Sequence, residues 1–341
     1  MMFWDQPVLG VETSCDETAA AVVVGRQVLS NVIASQVDIH AKWGGVIPEV
    51  AARQHVEAIL PVIQEALTQA KIERPAAIAV TDRPGLVGAL SVGVSAAKAL
   101  AKAWNIPMIG VHHLEGHLLS PWGDPDLRQE IDFPLLSLIV SGGHTELVMS
   151  GQPGEYQHLG GTIDDAAGEA FDKGARLLGL GYPGGKAVQN AAESGDPKRY
   201  DLPRALPDDP HTFSFSGLKT AVLRLVQIHG SDLNINDAAA SLQAAIVDVL
   251  VKKTVATAEL FNLKTVCLVG GVSANKPLRT QLDAECIRRG ISLFVPPFDL
   301  CTDNAAMIAL AGSFRINCGE TTSFDVEPKP NALLPGMIEA R

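Results

Sequence analysis

Positive charge is scarce in this sequence: 27 lysines and arginines face 38 aspartates and glutamates, for a formal net charge of −11. That balance excludes a protein that coats nucleic acid through a generally basic surface, and leaves room only for a local basic patch. Cysteine is scarce too. The five present (Cys15, Cys267, Cys286, Cys301, Cys318) are scattered and odd in number, and no two have zinc-finger spacing. A reducing cytoplasm with free thiols is therefore expected, not a disulfide framework. Long apolar runs are missing as well. The longest, Gly85–Trp104, is broken by Lys98 and Lys102 and is rich in small residues, so it reads as a core-packed helix and no membrane span is expected. Met-Met-Phe-Trp-Asp leads almost at once into a strand, and no signal or transit peptide is expected.

What is present suits a compact α/β protein. A chain of 341 residues, 47% apolar and with 31 glycines, is long enough for two packed domains. The most informative stretch is His-His-Leu-Glu-Gly-His at 112–117, which follows the apolar segment Pro107–Val111. It reads as a strand running into a helix. A spacing of four turns a helix by about 400°, so His113 and His117 project from one face at metal-ligand distance. Glu115 is two positions from His113 and points to the opposite side. A zinc peptidase of the H-E-x-x-H type carries its glutamate next to the first histidine, so Glu115 is misplaced for that chemistry.

In chain order, Val8–Val11 and Ala19–Val24 read as a hairpin whose tip, Glu12 to Thr18, offers hydroxyls, carboxylates and backbone N–H groups to a phosphate or its metal. Glu12, Thr13, Ser14 and Asp16 are its candidate phosphate-loop residues. Gln27–Ser35 is a third strand. Pro48 starts a helix to about Ala70, with Val50, Ile59, Leu60, Ile63 and Leu67 expected on its buried face. Ala76–Val80 is a strand, Thr81–Leu86 a turn and Val87–Trp104 a helix, and the Pro/Asp-rich stretch 121–134 is a connection between lobes. The opening pattern then returns: strand Leu135–Val140, a tight turn Ser141-Gly142-Gly143-His144-Thr145, and a strand beginning at Leu147. Two such hairpins, each opening a lobe, point to an internally duplicated architecture.

An acidic helix is expected over Thr162–Leu178, a Tyr-Pro-Gly-Gly turn over 182–185, and a short strand from His211 before a helix capped by Ser216. A long amphipathic helix should span Asn236–Leu260. Val266–Val269 ends in Gly270-Gly271-Val272-Ser273-Ala274-Asn275, a turn that lets a ligand approach backbone at a helix start, and Ile291–Val295 is the last core strand. Asp303, in Cys301-Thr302-Asp303-Asn304, stands at or beside the N-cap of a helix over Ala305–Ile316. Its default role is capping, but it is also the best-placed carboxylate to complete a His/His/Asp metal set with open positions.

Taken together, Val-Glu-Thr-Ser-Cys-Asp-Glu-Thr (11–18), His-His-Leu-Glu-Gly-His (112–117), Val-Ser-Gly-Gly-His-Thr (140–145), Asp-Asp-Ala-Ala-Gly-Glu-Ala-Phe-Asp-Lys (164–173), Phe-Ser-Phe-Ser-Gly-Leu-Lys-Thr (213–220), Gly-Gly-Val-Ser-Ala-Asn (270–275) and Cys-Thr-Asp-Asn (301–304) resemble the tRNA N6-adenosine threonylcarbamoyltransferase family, also called TsaD or Gcp. Seven pieces in the family's order, from residue 8 to about 312, cover nearly the whole chain. The resemblance implies an actin/Hsp70/sugar-kinase-like α/β fold: two related lobes with mixed sheets and a nucleotide cleft between them. The expected lobes are 1–130 with 305–341, and 131–304. The resemblance further implies that His113, His117 and Asp303 bind one divalent metal ion, Fe2+ in preference to Zn2+. Ile139, Val140, Ser141, Gly142, Gly143, Asp172, Gly185 and Asn275 match the family's substrate-binding positions, with an adenylate or ATP in the cleft. The implied reaction moves threonylcarbamoyl from threonylcarbamoyl-AMP to N6 of the adenosine 3′ of the anticodon, in tRNAs reading codons that begin with A, and releases AMP. TsaB and TsaE are the implied partners.

No residue reads as a catalytic nucleophile, since Cys15 and Ser141 fit better as loop residues. Three departures from the family pattern stand out: Arg83 where a small residue is common, Lys186 in place of proline, and Gln189 in place of an aspartate. A metallopeptidase is opposed by the orientation of Glu115. A sugar kinase or ATPase of the same fold has no need of a His/His/Asp site, and a non-catalytic scaffold would be free to lose it.

Overall fold

The computed structural model describes residues 1–339, in two compact units. Met1–Glu130 and Pro296–Pro335 form the first, and Ile131–Val295 with residues 336–339 form the second. Residues 296–304, ascribed above to the second lobe, thus cluster with the first, and the chain end beyond 335 clusters with the second.

The first unit contains β1 (Val8–Glu12), β2 (Glu17–Val24), β3 (Gln27–Ser35), α1 (Val37–Ala41), α2 (Pro48–Ala70), β4 (Ala77–Arg83), α3 (Val87–Trp104), β5 (Met108–His112) and α4 (His113–Leu119). The second contains β6 (Leu135–Val140), β7 (Thr145–Ser150), β8 (Tyr156–Gly161), α5 (Ala167–Leu177), α6 (Gly184–Ala192), α7 (Ser216–His229), α8 (Ile235–Leu260), β9 (Thr265–Val269), α9 (Lys276–Arg288) and β10 (Ser292–Phe294). The chain then returns to the first unit with α10 (Ala305–Asn317), and β11 (Met337–Glu339) adds to the second sheet.

The two sheets repeat one topology. In the first the strand order is β3-β2-β1-β4-β5, and in the second β8-β7-β6-β9-β10 with β11 added beside β8. Each begins with an antiparallel three-strand meander and continues with parallel strands. The expected duplication is therefore present strand by strand, and both sheets are mixed. β1 and β6 are buried at every residue, as strands covered on both faces should be.

Small residues set the spacing in the first unit. A Cβ on Gly10 of β1 would lie 2.2 Å from the Ala305 carbonyl oxygen, and one on Gly312 of α10 would lie 2.3 Å from the Ala79 side chain. The last helix therefore beds directly onto β1 and β4. This close approach brings the residues just before α10 up to the strand ends.

Several local expectations are corrected. In α2 the buried face is Ala51, His55, Ile59, Val62, Ile63 and Ala66, while Leu60 is 61% exposed, one position out of phase. The strand β4 runs on to Arg83, where a turn was expected from Thr81. The 182–185 turn is cut short, because α6 begins at Gly184 with Pro183 at its N-cap. Ser216 does not cap α7: Asp164 does so from a distance, accepting from the Phe215 and Ser216 amides at 2.8 and 3.3 Å and from both neighbouring serine hydroxyls. The segment from His211 contributes only an isolated bridge, Thr162 to Phe213. The helix α8 is not amphipathic but central, with 17 of its 26 residues buried. No described helix is long and apolar enough to cross a membrane.

Candidate metal centre

The strand β5 and the helix α4 join without a loop, as expected, and all seven residues of α4 are buried. A Cβ on Gly116 would meet Ile308 at 2.8 Å, so the helix packs closely on α10. Glu115, 1% exposed, is clasped by Arg315 of α10, whose Nε donates to both carboxylate oxygens at 3.1 and 3.0 Å. It points away from the histidine face. It is a strut between helices, its oxygens taken up by Arg315.

His113 and His117 lie on the other face with ring centroids 4.8 Å apart. Their Nε2 atoms converge on one oxygen: Asp303 Oδ1 is 3.4 Å from His113 Nε2 and 3.1 Å from His117 Nε2. The helix α10 is capped by Asn304, whose side chain accepts from the Met307 amide at 3.0 Å, so Asp303 is relieved of the capping role. Its carboxylate turns to the histidines instead. One ligand atom from each of the three residues lies within 4.8 Å of the other two, and the group could hold a metal ion.

The far side of His113 is also organised. Its Nδ1 lies 3.1 Å from Glu12 Oε2 and 3.2 Å from Ser14 Oγ. A ring nitrogen held by a carboxylate leaves the opposite nitrogen free to ligate, which is the usual support for a metal-bound histidine. Glu12 also accepts from the Ser14 amide and, at 2.6 Å, from the Thr81 hydroxyl. Thr13 donates to the Ala89 carbonyl at 2.9 Å. The expectation that Glu12 and Thr13 offer side chains to a phosphate is therefore not met, because both are spent inside the unit. Ser14 and Asp16 are also buried, Ser14 against His113. Glu12 is instead the residue that sequence reasoning placed wrongly: its contact with His113 spans 101 positions, and nothing local announces it.

Electrostatics agree with a site built for a cation. Burial alone would push His113 down, but Asp303 and Glu12 flank it and hold it well above the ordinary imidazole value. Burial would raise Asp303, and the two histidines outweigh it and hold the carboxyl well below its usual range. Two carboxylates around one imidazole demand positive charge between them, whether a proton or a metal ion. The donor set suits the latter: two imidazoles and one carboxylate.

Comparison with known proteins bears on this arrangement directly. The sequence profile described as "TsaD: tRNA N6-adenosine threonylcarbamoyltransferase" matches residues 27–310. The chain belongs to this family. A tRNA N6-adenosine threonylcarbamoyltransferase from Dehalococcoides mccartyi strain BAV1 is 53% identical over 327 residues, spanning 95% of this chain and 98% of the relative. Those of Symbiobacterium thermophilum and Bacillus cereus are 53% and 50% identical, each over 95% of both chains. Among solved structures, HypF of T. kodakarensis is similar with a TM-score of 0.60 at 14% identity, over 92% of this chain and 49% of HypF. The activator of 2-hydroxyisocaproyl-CoA dehydratase from Clostridium difficile is similar with a TM-score of 0.51 at 12% identity, over 93% of this chain and 98% of that one. At such identities these structures speak for the fold alone.

The second unit holds the other residues that the resemblance singled out. Ile139 and Val140 are fully buried in β6, paired with Glu146 and Thr145 of β7, so neither offers surface to a ligand here. After them the chain turns at Ser141, whose carbonyl accepts from Gly168 at the start of α5 at 3.1 Å. A Cβ on Gly142 or Gly143 would meet nothing within 4 Å, so packing does not require glycine at either position. Asp172 Oδ1 accepts from the Gly184 amide at 2.7 Å and so fixes the start of α6, where Gly185 stands open. Asn275 caps α9 through Leu278 at 3.0 Å and donates to Gln243 at 2.9 Å. Gln189, one of the departures, accepts from the Lys276 amide at 2.8 Å, which ties α6 to α9.

Proposed function

We propose that this member of the family transfers the threonylcarbamoyl group of threonylcarbamoyl-AMP to N6 of the adenosine 3′ of the anticodon, in tRNAs reading codons that begin with A. AMP leaves as the C–O bond to its phosphate breaks and the N6–C bond forms, and the attacking amine releases one proton. The observation that carries this reading is the His113/His117/Asp303 group, two buried imidazoles and a half-buried carboxylate, in a chain of this family. These three side chains would hold one divalent cation, Fe2+ by preference for two imidazoles and a carboxylate with vacant positions, or Zn2+. When bound, such an ion supplies Lewis-acid stabilisation to oxygens of the donor.

The remaining residues position the donor. Main-chain N–H groups at Gly142 and Gly143 are suited to the adenylate phosphate, because the open glycines allow close approach, while the Ser141 N–H closes the turn on the His144 carbonyl at 2.9 Å. Asp172 and Gly185 present the start of α6, and Asn275 that of α9. Direct attack by the tRNA amine is favoured over an acyl-enzyme. Burial, reinforced by Asp16, pushes the Cys15 thiol far above its ordinary range, so no thiolate is on hand. With a net charge of −11, the chain would rely on partners such as TsaB and TsaE for part of the basic surface that holds tRNA.

The test is mass spectrometry of nucleosides from tRNA incubated with the protein, these partners, an adenylate synthase, ATP, threonine and bicarbonate. The modified nucleoside should appear with the wild type and vanish with His113→Ala. Its full retention in that variant would refute the role given to the site, and trapping a threonylcarbamoyl-protein would refute direct attack.

A further inference from the structure

His112, the residue before the first ligand, is fully buried and uses both ring nitrogens. Its Nδ1 accepts from the Leu114 amide at 3.2 Å, which makes it the N-cap of α4. An acceptor at Nδ1 puts the ring proton on Nε2, and that atom is 3.0 Å from the Ala332 carbonyl, to which it donates. Histidine is an unusual cap, and this one does a second task that a serine or aspartate could not.

Ala332 belongs to an extended segment after α10 that is pinned along the ends of β4 and β5. The Thr322 amide donates to Met108 at 2.8 Å and its hydroxyl accepts from Gly110 at 2.9 Å. The Lys329 amide donates to the Asp82 carbonyl at 2.9 Å, and Pro330 accepts from the Gly85 amide at 3.1 Å. Leu334 is buried two residues further on. This strap lies beyond the stretch that the family profile covers, 27–310.

We infer that His112 is a positioning residue for the metal centre: it locks the C-terminal strap to the amino end of the helix that carries His113 and His117. The cap fixes the first turn of α4, and the strap fixes the cap. Since α4 has only seven residues, a change at its first turn shifts both ligands relative to Asp303. The inference rests on the metal reading given above.

The experiment is titration of the metal-free full chain with Co2+, read by its visible absorption, together with hydrogen exchange of the strap. His112→Ala should weaken Co2+ binding by roughly tenfold, the usual cost of losing an outer support of a ligand. His112→Asn keeps a capping oxygen and should bind within about threefold of wild type, while residues 330–334 exchange faster because the side chain no longer reaches Ala332. His112→Leu fills space without capping and should resemble alanine. If alanine does not fold, asparagine alone decides, by the combination of near-normal Co2+ binding and a loosened strap. Unchanged binding in His112→Ala, or rescue by leucine as good as by asparagine, overturns this inference alone. A wild-type chain that takes up no Co2+ overturns the metal reading and this inference with it.

Discussion

Arg315→Met should destabilise the protein far more than loss of a surface arginine normally does. The carboxylate of Glu115 is 1% exposed and its hydrogen bonds to Arg315 run from α4 to α10. Methionine preserves most of the arginine stem and removes only the charge. It strands a buried anion, for which the cost is about 3–5 kcal/mol. The second partner of Arg315, Glu320, is largely exposed and adds little. Glu115→Leu in the same chain removes the stranded charge, so the double variant should regain most of the loss, with a coupling of about 2–3 kcal/mol. Urea unfolding of the four proteins, with equal slopes, measures this. An Arg315→Met loss below about 1 kcal/mol, or additive single effects, would refute the strut and reopen Glu115 as a chemical group. Glu115→Gln should in either case still take up metal.

Gly116→Ala gains about 0.5–1 kcal/mol of helix propensity but forces a methyl against Ile308 at 2.8 Å and Met307 at 3.1 Å. Stability should change little while divalent-ion affinity falls, because α4 is pushed off α10 and the histidines leave Asp303; equal affinity contradicts this. In the metal-free protein the raised His113 contributes stability that is complete below about 6.5, its ordinary value, and is lost as pH rises through its folded value. Asp303 and Glu12, both depressed, contribute stability above their ordinary values near 4, lost as pH falls through the folded ones. Metal-free Tm should therefore peak on the acid side of neutrality, whereas ion affinity should rise with pH as the ion displaces the His113 proton; calorimetry and titration across pH 5 to 9 on the order of one unit apart check both signs. Gly143→Ala meets no atom within 4 Å and should leave unfolding within about 0.5 kcal/mol of wild type. It should nonetheless weaken adenylate binding, and unaltered binding would remove the 141–143 turn from the donor site.

The ligand helix was legible because a spacing of four carries geometry by itself, and because an apolar strand ending in histidines leaves few other readings. The duplicated meanders were legible for a similar reason: Leu135–Val140 and the glycine turn restate the pattern of Val8–Thr18. Long-range contacts left no local trace. Glu12 reads locally as a loop carboxylate, but the fold brings it to His113, and Asp164 reads as one acid of the 162–178 helix, but it caps α7 across 51 positions. Pro183-Gly184-Gly185 carries turn chemistry, yet the Asp172 carboxylate holds the first amide and α6 starts there. The segment Tyr156–Gly161 ends in two glycines and gave no strand signal, but pairing with β7 makes it β8. In α8, buried alanines alternate with larger residues on every side, and periodicity alone could not separate a central helix from an amphipathic one.

The most direct measurement is the metal content of the purified chain by inductively coupled plasma mass spectrometry, for the wild type beside His117→Ala and Asp303→Asn. One divalent ion per wild-type chain, reduced to a small residue in both variants, is the expected result. An ion retained at full stoichiometry in His117→Ala, or none in a wild-type chain purified without chelators, would contradict the account at its centre.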